Sequence, residues 1–424
     1  MKGKSTRISA RRRMATMTAL ALALALTVGV GVAATAGPVS ALTTAGSPQA
    51  KQLAKMADQS VAAGVPGVII QVNDGHGPVV NIARQAPWTI ADHVLNANDQ
   101  FRMGSNTKTV TATLVLQLVA EYRVTLDDPV EKWIPGAIPG GQDITLRMLL
   151  NHTSGLADYA YTREALDLMT GRQANHPTAE ELLALGTAQP REFPPGQGWH
   201  YSNPGYIALG MVLEKVTGHS VADLVQHRIA GPLGLHDTYL PTPASQAGDH
   251  RLVHGYEPDA VHIAPIVEPL GLPAGYGFIG PNHNDRVDVT GIDQAWDGAA
   301  GAIISTTSDW ARFDTALMSG KLFPKSLLNE MRTFVKEDVP SGPDRKYGLG
   351  LEEYQTPCGP VVGHDGALPG YRSDNYTDLS GHRTVSVLST THFGYRIAPA
   401  VDVAETKLVT AAICTMLGKP IPAN

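Results

Sequence analysis

Residues 101–119 read FRMGSNTKTVTATLVLQLV, and the fold is read outward from this stretch. Phe101 to Gly104 is a short extended lead-in, and a helix is expected to begin near Ser105. Val110, Leu114, Val115, Leu118 and Val119 recur at helical spacing, which predicts a buried helix. Upstream, Ala50 to Ala63 reads as a helix. Val65 to Val72 and Val79 to Ala83 are β-rich runs separated by Asn73-Asp74-Gly75-His76-Gly77-Pro78, a hairpin. Downstream to about Leu235 the pattern is mostly helical, punctuated at Pro135-Gly136, Pro139-Gly140-Gly141 and Pro194-Pro195-Gly196. Residues 241–292 are rich in Pro, Gly and Asp without a sustained period, and read as long loops over one face. β-type runs return at Ala302 to Ser305, Val361 to His364 and Thr384 to Ser389. A turn is expected at Leu379-Ser380-Gly381 and a final helix from about Pro399 to Leu417. Strands at both ends with helices between predict an α+β fold: one sheet assembled from distant segments, with a helical insertion.

The chain has 424 residues, 43% hydrophobic and 17% charged, with 2 cysteines. Such a composition excludes a disordered chain and a disulfide scaffold, and allows a substantial core. Its formal net charge is −6. The first 41 residues carry Lys2, Lys4, Arg7, Arg11, Arg12 and Arg13 without an acid, so the remainder carries −12. That balance argues against nucleic acid and anionic membrane surfaces as partners.

Those 41 residues have the layout of a secretory signal peptide. A basic segment ends at Arg13, an Ala/Leu/Val stretch runs from about Thr18 to Val32, and small-residue cleavage sites follow at Ala36 and Ala41. Arg11-Arg12-Arg13 hints at twin-arginine export. The stretch is short and Ala-rich for a retained anchor, so a secreted, soluble mature protein is expected. Export favours a disulfide between Cys358 and Cys414, the one pair available; two buried free thiols are the alternative.

Three short motifs carry candidate chemistry. Ser105 and Lys108 are three apart at a helix start, where an amine can reach a hydroxyl and the helix terminus favours developing negative charge. The apolar helix that follows would bury Lys108 and lower its pKa. Taken alone the pair is a weak signal, since Ser is a common cap and Lys is commonly solvated. Tyr201 and Asn203 precede an apolar helix. They read either as a helix-entry aromatic and an N-cap, or as a proton carrier and a holder of the substrate's amide. His364-Asp365-Gly366 ends a strand, where Gly366 permits close approach of a ligand and the Ala367 N–H can pair with that of Ser105 as an oxyanion hole. No metal-ligand spacing and no phosphate-binding glycine loop is present, so neither metal nor cofactor is expected.

In this order, S-x-x-K at 105, Y-x-N at 201 and His-x-Gly at 364 resemble the penicillin-recognising serine hydrolases, which include serine β-lactamases and DD-peptidases. Ile144 to Leu156 and Gly298 to Asp309 are similar to further segments of that family, and the resemblance covers about 50–415. It implies an antiparallel sheet flanked by helices, from about 50–104 and 293–424, with a helical and loop region over about 105–292. Residues 42–424 would be the hydrolase domain. It implies that Ser105 attacks a carbonyl, with Lys108 and Tyr201 as a proton network, His364 in the third motif, and Ser105 and Ala367 N–H groups on the oxyanion. Which of Lys108 and Tyr201 is the base stays open.

Carboxypeptidases of this family carry His-Thr-Gly-Thr in the third motif and an Arg after a Gly-Leu. Here the third motif reads His364-Asp365-Gly366-Ala367, and Glu352-Glu353 follow Gly350-Leu351. Glu352 and Asp365 would repel a substrate carboxylate, while Arg372 would supply a clamp from another direction. The first expectation is therefore a D-stereospecific amidohydrolase or peptidase, a monomer acting on small D-amino-acid amides, esters or peptides. The second is a D-alanyl-D-alanine carboxypeptidase acting on peptidoglycan stem peptides. A β-lactamase and a non-catalytic peptidoglycan-binding relative rank below these.

Overall fold

The computed structural model describes residues 47–173, 176–242, 251–337 and 344–422. The leader expected over 1–41 lies outside them. Helix α1 (Pro48–Ala63) starts at Ser47, whose Oγ accepts the Ala50 N–H at 3.0 Å, and Pro48 sits where no intrahelical N–H is needed.

Eight strands form the main sheet: β1 (Gly67–Asn73), β2 (Pro78–Gln85), β3 (Val335–Lys336), β4 (Arg345–Tyr347), β5 (Glu352–Thr356), β6 (Gly359–Leu368), β7 (Tyr371–Thr377) and β8 (Thr384–Ser389). Their order is β2-β1-β8-β7-β6-β5-β4-β3, and every neighbouring pair is antiparallel. Strands from the two ends of the sequence meet where β1 pairs β8, with Ile70 opposite Val387. The expected first hairpin closes through Asn73, whose Oδ1 accepts the N–H groups of Gly75 and Gly77.

Side-chain alternation along β1 feeds two cores, because successive residues point to opposite faces. Val68, Ile70 and Val72 pack with Leu53 and Ala57 of α1 and with Leu408 and Ile413 of the C-terminal helix. Ile69 joins Val362 and Leu388 in the other core, with Val110, Leu114 and Leu118 of α2 (Thr107–Ala120) and Leu209 and Val212 of α3 (Asn203–Thr217). The C-terminal helix is α4 (Pro399–Met416). Both sheet faces are thus covered by helices. Cys358, in the β5–β6 turn, is disulfide-bonded to Cys414 of α4.

The expected loops after 241 carry more order than their composition suggests. Tyr256–Pro258, Arg286–Asp288 and Asn282–His283 form a three-stranded sheet. Ile263, Val267, Tyr276 and Phe278 pack with Leu166 in a small core of their own. These elements are two to four residues long, too short for a period to show. Among the described residues no helix is long and apolar enough to cross a membrane.

Candidate active site

Ser105 lies on a 3₁₀ turn (Gly104–Asn106) that leads into α2. The turn is riveted to its surroundings by its own polar side chains. Asn106 Nδ2 donates to Ser373 Oγ at 2.8 Å and to Met103 O at 3.1 Å. Thr107 Oγ1 donates to Gly104 O at 2.7 Å and accepts from Ile303 N at 3.0 Å. Gly104 has φ of +54°, and a Cβ there would lie 2.5 Å from Ala367 N. This contact seats the Ser105 turn directly against β6, next to the amide expected in the oxyanion hole.

One turn on, Lys108 is fully buried. Its Nζ donates to Ser105 Oγ at 3.1 Å, Asn203 Oδ1 at 2.7 Å and Ala300 O at 2.8 Å. All three ammonium protons are therefore used. Burial lowers its pKa to about 8, against the charges of Asp297 and Asp158, which favour the cation. A lysine so placed carries an appreciable neutral fraction at pH 7 and touches the one hydroxyl it would activate.

Tyr201 stands beside this pair, with the Lys108 ammonium 4.8 Å from its ring centroid. Burial raises its hydroxyl well above 10, although neighbouring Ser105 favours ionisation, so the phenol stays protonated at neutral pH. Its backbone is held by His152: the Ser202 N–H donates to His152 Nδ1 at 3.2 Å, and His200 N donates to His152 O at 3.0 Å. His152 has φ of +63°, is fully buried and packs on the Tyr201 ring at 4.3 Å. Burial and the Lys108 charge hold its pKa well below 6.5, which keeps it neutral.

His364 is 1% exposed, and burial lowers its pKa to about 4. Tyr347 Oη donates to its Nε2 at 2.7 Å, and its Nδ1 is hydrogen-bonded to Asp365 O. Both ring nitrogens are engaged by the protein, and the ring is a neutral imidazole.

Ser105, Tyr201, Asn203 and Ala367 line a cavity of about 260 Å³. Its remaining wall is mostly aromatic and aliphatic, with Leu166, Met169, Val267, Phe278 and Trp296, together with Asp297, His392 and Arg396. A nucleophile with a bonded amine, a phenol and an apolar pocket is the layout of an acyl-transfer site.

Residues 53–407 match the protein family described as Beta-lactamase. The chain belongs to that family. Penicillin-binding protein 4* of Bacillus subtilis (strain 168) is 31% identical over 300 residues, which cover 70% of this chain and 61% of that protein. The chain thus spans less than two thirds of that relative's length. Among solved structures, a D-stereospecific amidohydrolase from Streptomyces sp. is 33% identical with a TM-score of 0.67, covering 81% of this chain and 95% of that one. D-amino acid amidase from Ochrobactrum anthropi SV3, complexed with D-phenylalanine, is 26% identical with a TM-score of 0.74, covering 87% and 99%.

Ser105, Lys108, Tyr201, Asn203 and Ala367 come together in this chain, and His364 stands behind them, its ring 6.4 Å from that of Tyr201. Asn203 does not cap its helix, where Ser202 takes that position. Its Oδ1 accepts from Lys108 and its Nδ2 donates to both oxygens of Asp158, at 3.2 and 3.1 Å. The close approach expected of a ligand at Gly366 is made by the chain itself. A Cβ there would lie 2.1 Å from Met103 O and 2.8 Å from Asn106 Nδ2.

The acidic replacements also read differently in space. Arg345 Nη1 donates to Glu352 Oε2 at 3.1 Å and to Asp365 Oδ2 at 2.7 Å. Burial would raise Asp365, but Arg345 holds it down at about 2; burial and Asp365 push Glu352 well above the usual carboxylate range. The pair therefore carries much less net negative charge than two isolated acids. Arg372 bonds Asp374 at 3.1 Å and lies 3.9 Å from Glu405 of α4. It lines a second hollow of about 570 Å³ with Asp365 and Thr406, which meets the main cavity at Ala367, His392 and Arg396. Sequence reasoning missed Arg345, His152, Tyr347, Asp158, Asp297 and Ala300. His152 lies in the family-like segment Ile144 to Leu156 and Ala300 in Gly298 to Asp309, so those two segments held the available signal.

Among the described residues, Asp92, His283 and Asp288, and separately Glu352, His364 and Asp365, place ligand atoms within 4.8 Å of one another. Arg345 sits on both carboxylates of the second group, which disfavours a dication there.

Proposed function

We propose that the chain is a secreted serine amidohydrolase or peptidase that forms an acyl-enzyme at Ser105 and cleaves amide bonds of D-amino-acid-containing substrates. The observation that carries this reading is the 3.1 Å hydrogen bond from the fully buried Lys108 Nζ to Ser105 Oγ. Lys108, with its lowered pKa, takes the Ser105 proton as Oγ attacks the carbonyl carbon. Tyr201 is held protonated and His364 supplies no cation to change that, so the lysine is the base of the pair. The N–H groups of Ser105 and Ala367 hold the oxyanion. The C–N bond then breaks, the leaving nitrogen taking the Tyr201 proton while the Lys108 ammonium reprotonates the phenol. Water, deprotonated by the same network, attacks the acyl carbon and releases the acid and free Ser105.

D-selectivity is supported by likeness to the Streptomyces and Ochrobactrum enzymes over most of their length. The carboxypeptidase alternative needs a cation for a terminal carboxylate; Arg345 and Arg372 both face acids of the protein itself, and Arg396, which also lines the cavity, lies over the Phe393 ring at 5.4 Å from its centroid. Export rests on the layout of residues 1–41, and a monomer acting on small substrates is the working assembly. The test is kcat/KM of the mature enzyme on D-phenylalanine amide, L-phenylalanine amide and a D-Ala-D-Ala-terminated peptide. We expect the D-amide to be preferred over each of the others by at least about tenfold, and Ser105→Ala to abolish turnover. A preference for the free-acid peptide would overturn the amidohydrolase reading.

A further inference from the structure

Asp297 stands where the catalytic cluster meets the apolar pocket. It is 7% exposed, lines the Ser105 cavity, and accepts a hydrogen bond from Tyr159 Oη at 2.9 Å. Burial pushes its carboxyl up to about 6, with Lys108 pulling the other way, so it is mostly ionised at neutral pH. The neighbouring polar groups are committed within the protein: Asn203 serves Lys108 and Asp158, as described above. Beyond Asp297 the wall is mostly apolar, with Leu166, Met169, Val267, Phe278 and Trp296, and His392 and Arg396 complete it.

A buried carboxylate against an apolar wall is costly unless a cation meets it. In the resting enzyme the Lys108 charge offsets that cost through space, its own protons being bonded to Ser105, Asn203 and Ala300. When Lys108 acts as the base it must be neutral, and Asp297 and Asp158 then lose their countercharge. A substrate cation in the pocket would restore it and, by repulsion, favour the neutral lysine.

We propose that Asp297 receives the α-ammonium of the substrate's acyl residue, so that the enzyme selects residues with a free amino group and a large apolar side chain. This rests on the acyl-enzyme reading above. The ammonium sits on the carboxylate, the side chain fills the apolar wall, and the carbonyl is presented to Ser105.

The test compares D-phenylalanine amide, N-acetyl-D-phenylalanine amide and 3-phenylpropanamide, the last lacking the amine, with wild type, Asp297→Asn and Tyr159→Phe at pH 7.5. Wild type should favour the free amine over both analogues by at least about tenfold in kcat/KM. Asp297→Asn should bring that preference to near one, through a raised KM for the free amine, while the two analogues, which meet the same altered Lys108, change by a common factor. Tyr159→Phe leaves the carboxylate in place and should retain the preference. Equal use of the free and acetylated amides by wild type overturns the proposal without touching the acyl-enzyme reading. An equal loss on all three substrates in Asp297→Asn also overturns it, as a structural role. If wild type turns over none of them, both readings fail for this substrate class, and fluorophosphonate labelling of Ser105 then shows whether the nucleophile itself is competent.

Discussion

Lys108 is enclosed by Ser105, Asn203 and Ala300, and its proton is the one whose loss would start the reaction. Its pKa is lowered to about 8, so the active fraction grows as pH rises through that value. We expect kcat/KM on a neutral amide to climb from pH 6 and level off above about 8. His364, at about 4, should add no ionisation between pH 5 and 8. A pH–rate profile on a substrate without a titrating amine checks both statements. Lys108→Met should lower kcat by about a thousandfold or more with the fold retained. Ser105, Lys108 and Tyr201 were legible as residues because the spacing of Ser105 and Lys108 is local. Asp158, Asp297 and His152 were not, since each acts on a group far away in the chain, and Arg345, which reaches Glu352 and Asp365 on neighbouring strands, resembles any other surface-type residue in the sequence.

At the scale of elements, the Ser105 turn and strand β6 must touch for the oxyanion amides to converge. Gly104 and Gly366 permit that contact from either side. Gly366→Ala would drive a methyl to within 2.1 Å of Met103 O and 2.7 Å of Ser373 Oγ. We expect a loss of about 1–3 kcal/mol in urea unfolding. The acylation rate of the folded fraction should fall further, because the turn carrying Ser105 must move away from Ala367 N. Retention of the wild-type labelling rate would contradict this role for the contact. Helices α1, α2 and α4 and strands β1, β2 and β8 were visible as periodic or β-branched runs. The short strands after Tyr256 were not, because a few residues carry no period, and their order comes from pairing with one another.

At the scale of the molecule, the sheet is closed by pairing β1 with β8, more than 300 residues of chain apart, and α1 and α4 together cover its outer face. The Cys358–Cys414 bond ties the β5–β6 turn to α4 across a separation of 56 residues. Loop-closure entropy for such a span corresponds to about 4 kcal/mol of stability. Cys358→Ser with Cys414→Ser should lower unfolding stability by up to that amount. The bond is remote from Ser105, so kcat of the folded fraction should be unchanged. A matching fall in kcat would mean that α4 transmits to the site through the sheet.

The sequence alone determined what depends on near neighbours: the buried helix behind Ser105, the hairpins, the Ser105–Lys108 spacing and the order of the three motifs. Hydrophobic periodicity and turn chemistry are local properties, and a single chain displays them without its fold. Only the tertiary structure decided what depends on charge and burial across the chain. It left His364 neutral, committed Asn203 to Lys108 and Asp158, and set Arg345 between Glu352 and Asp365. A side chain's protonation and its free valences follow from the groups packed against it, and those groups come from segments that meet only when the sheet closes.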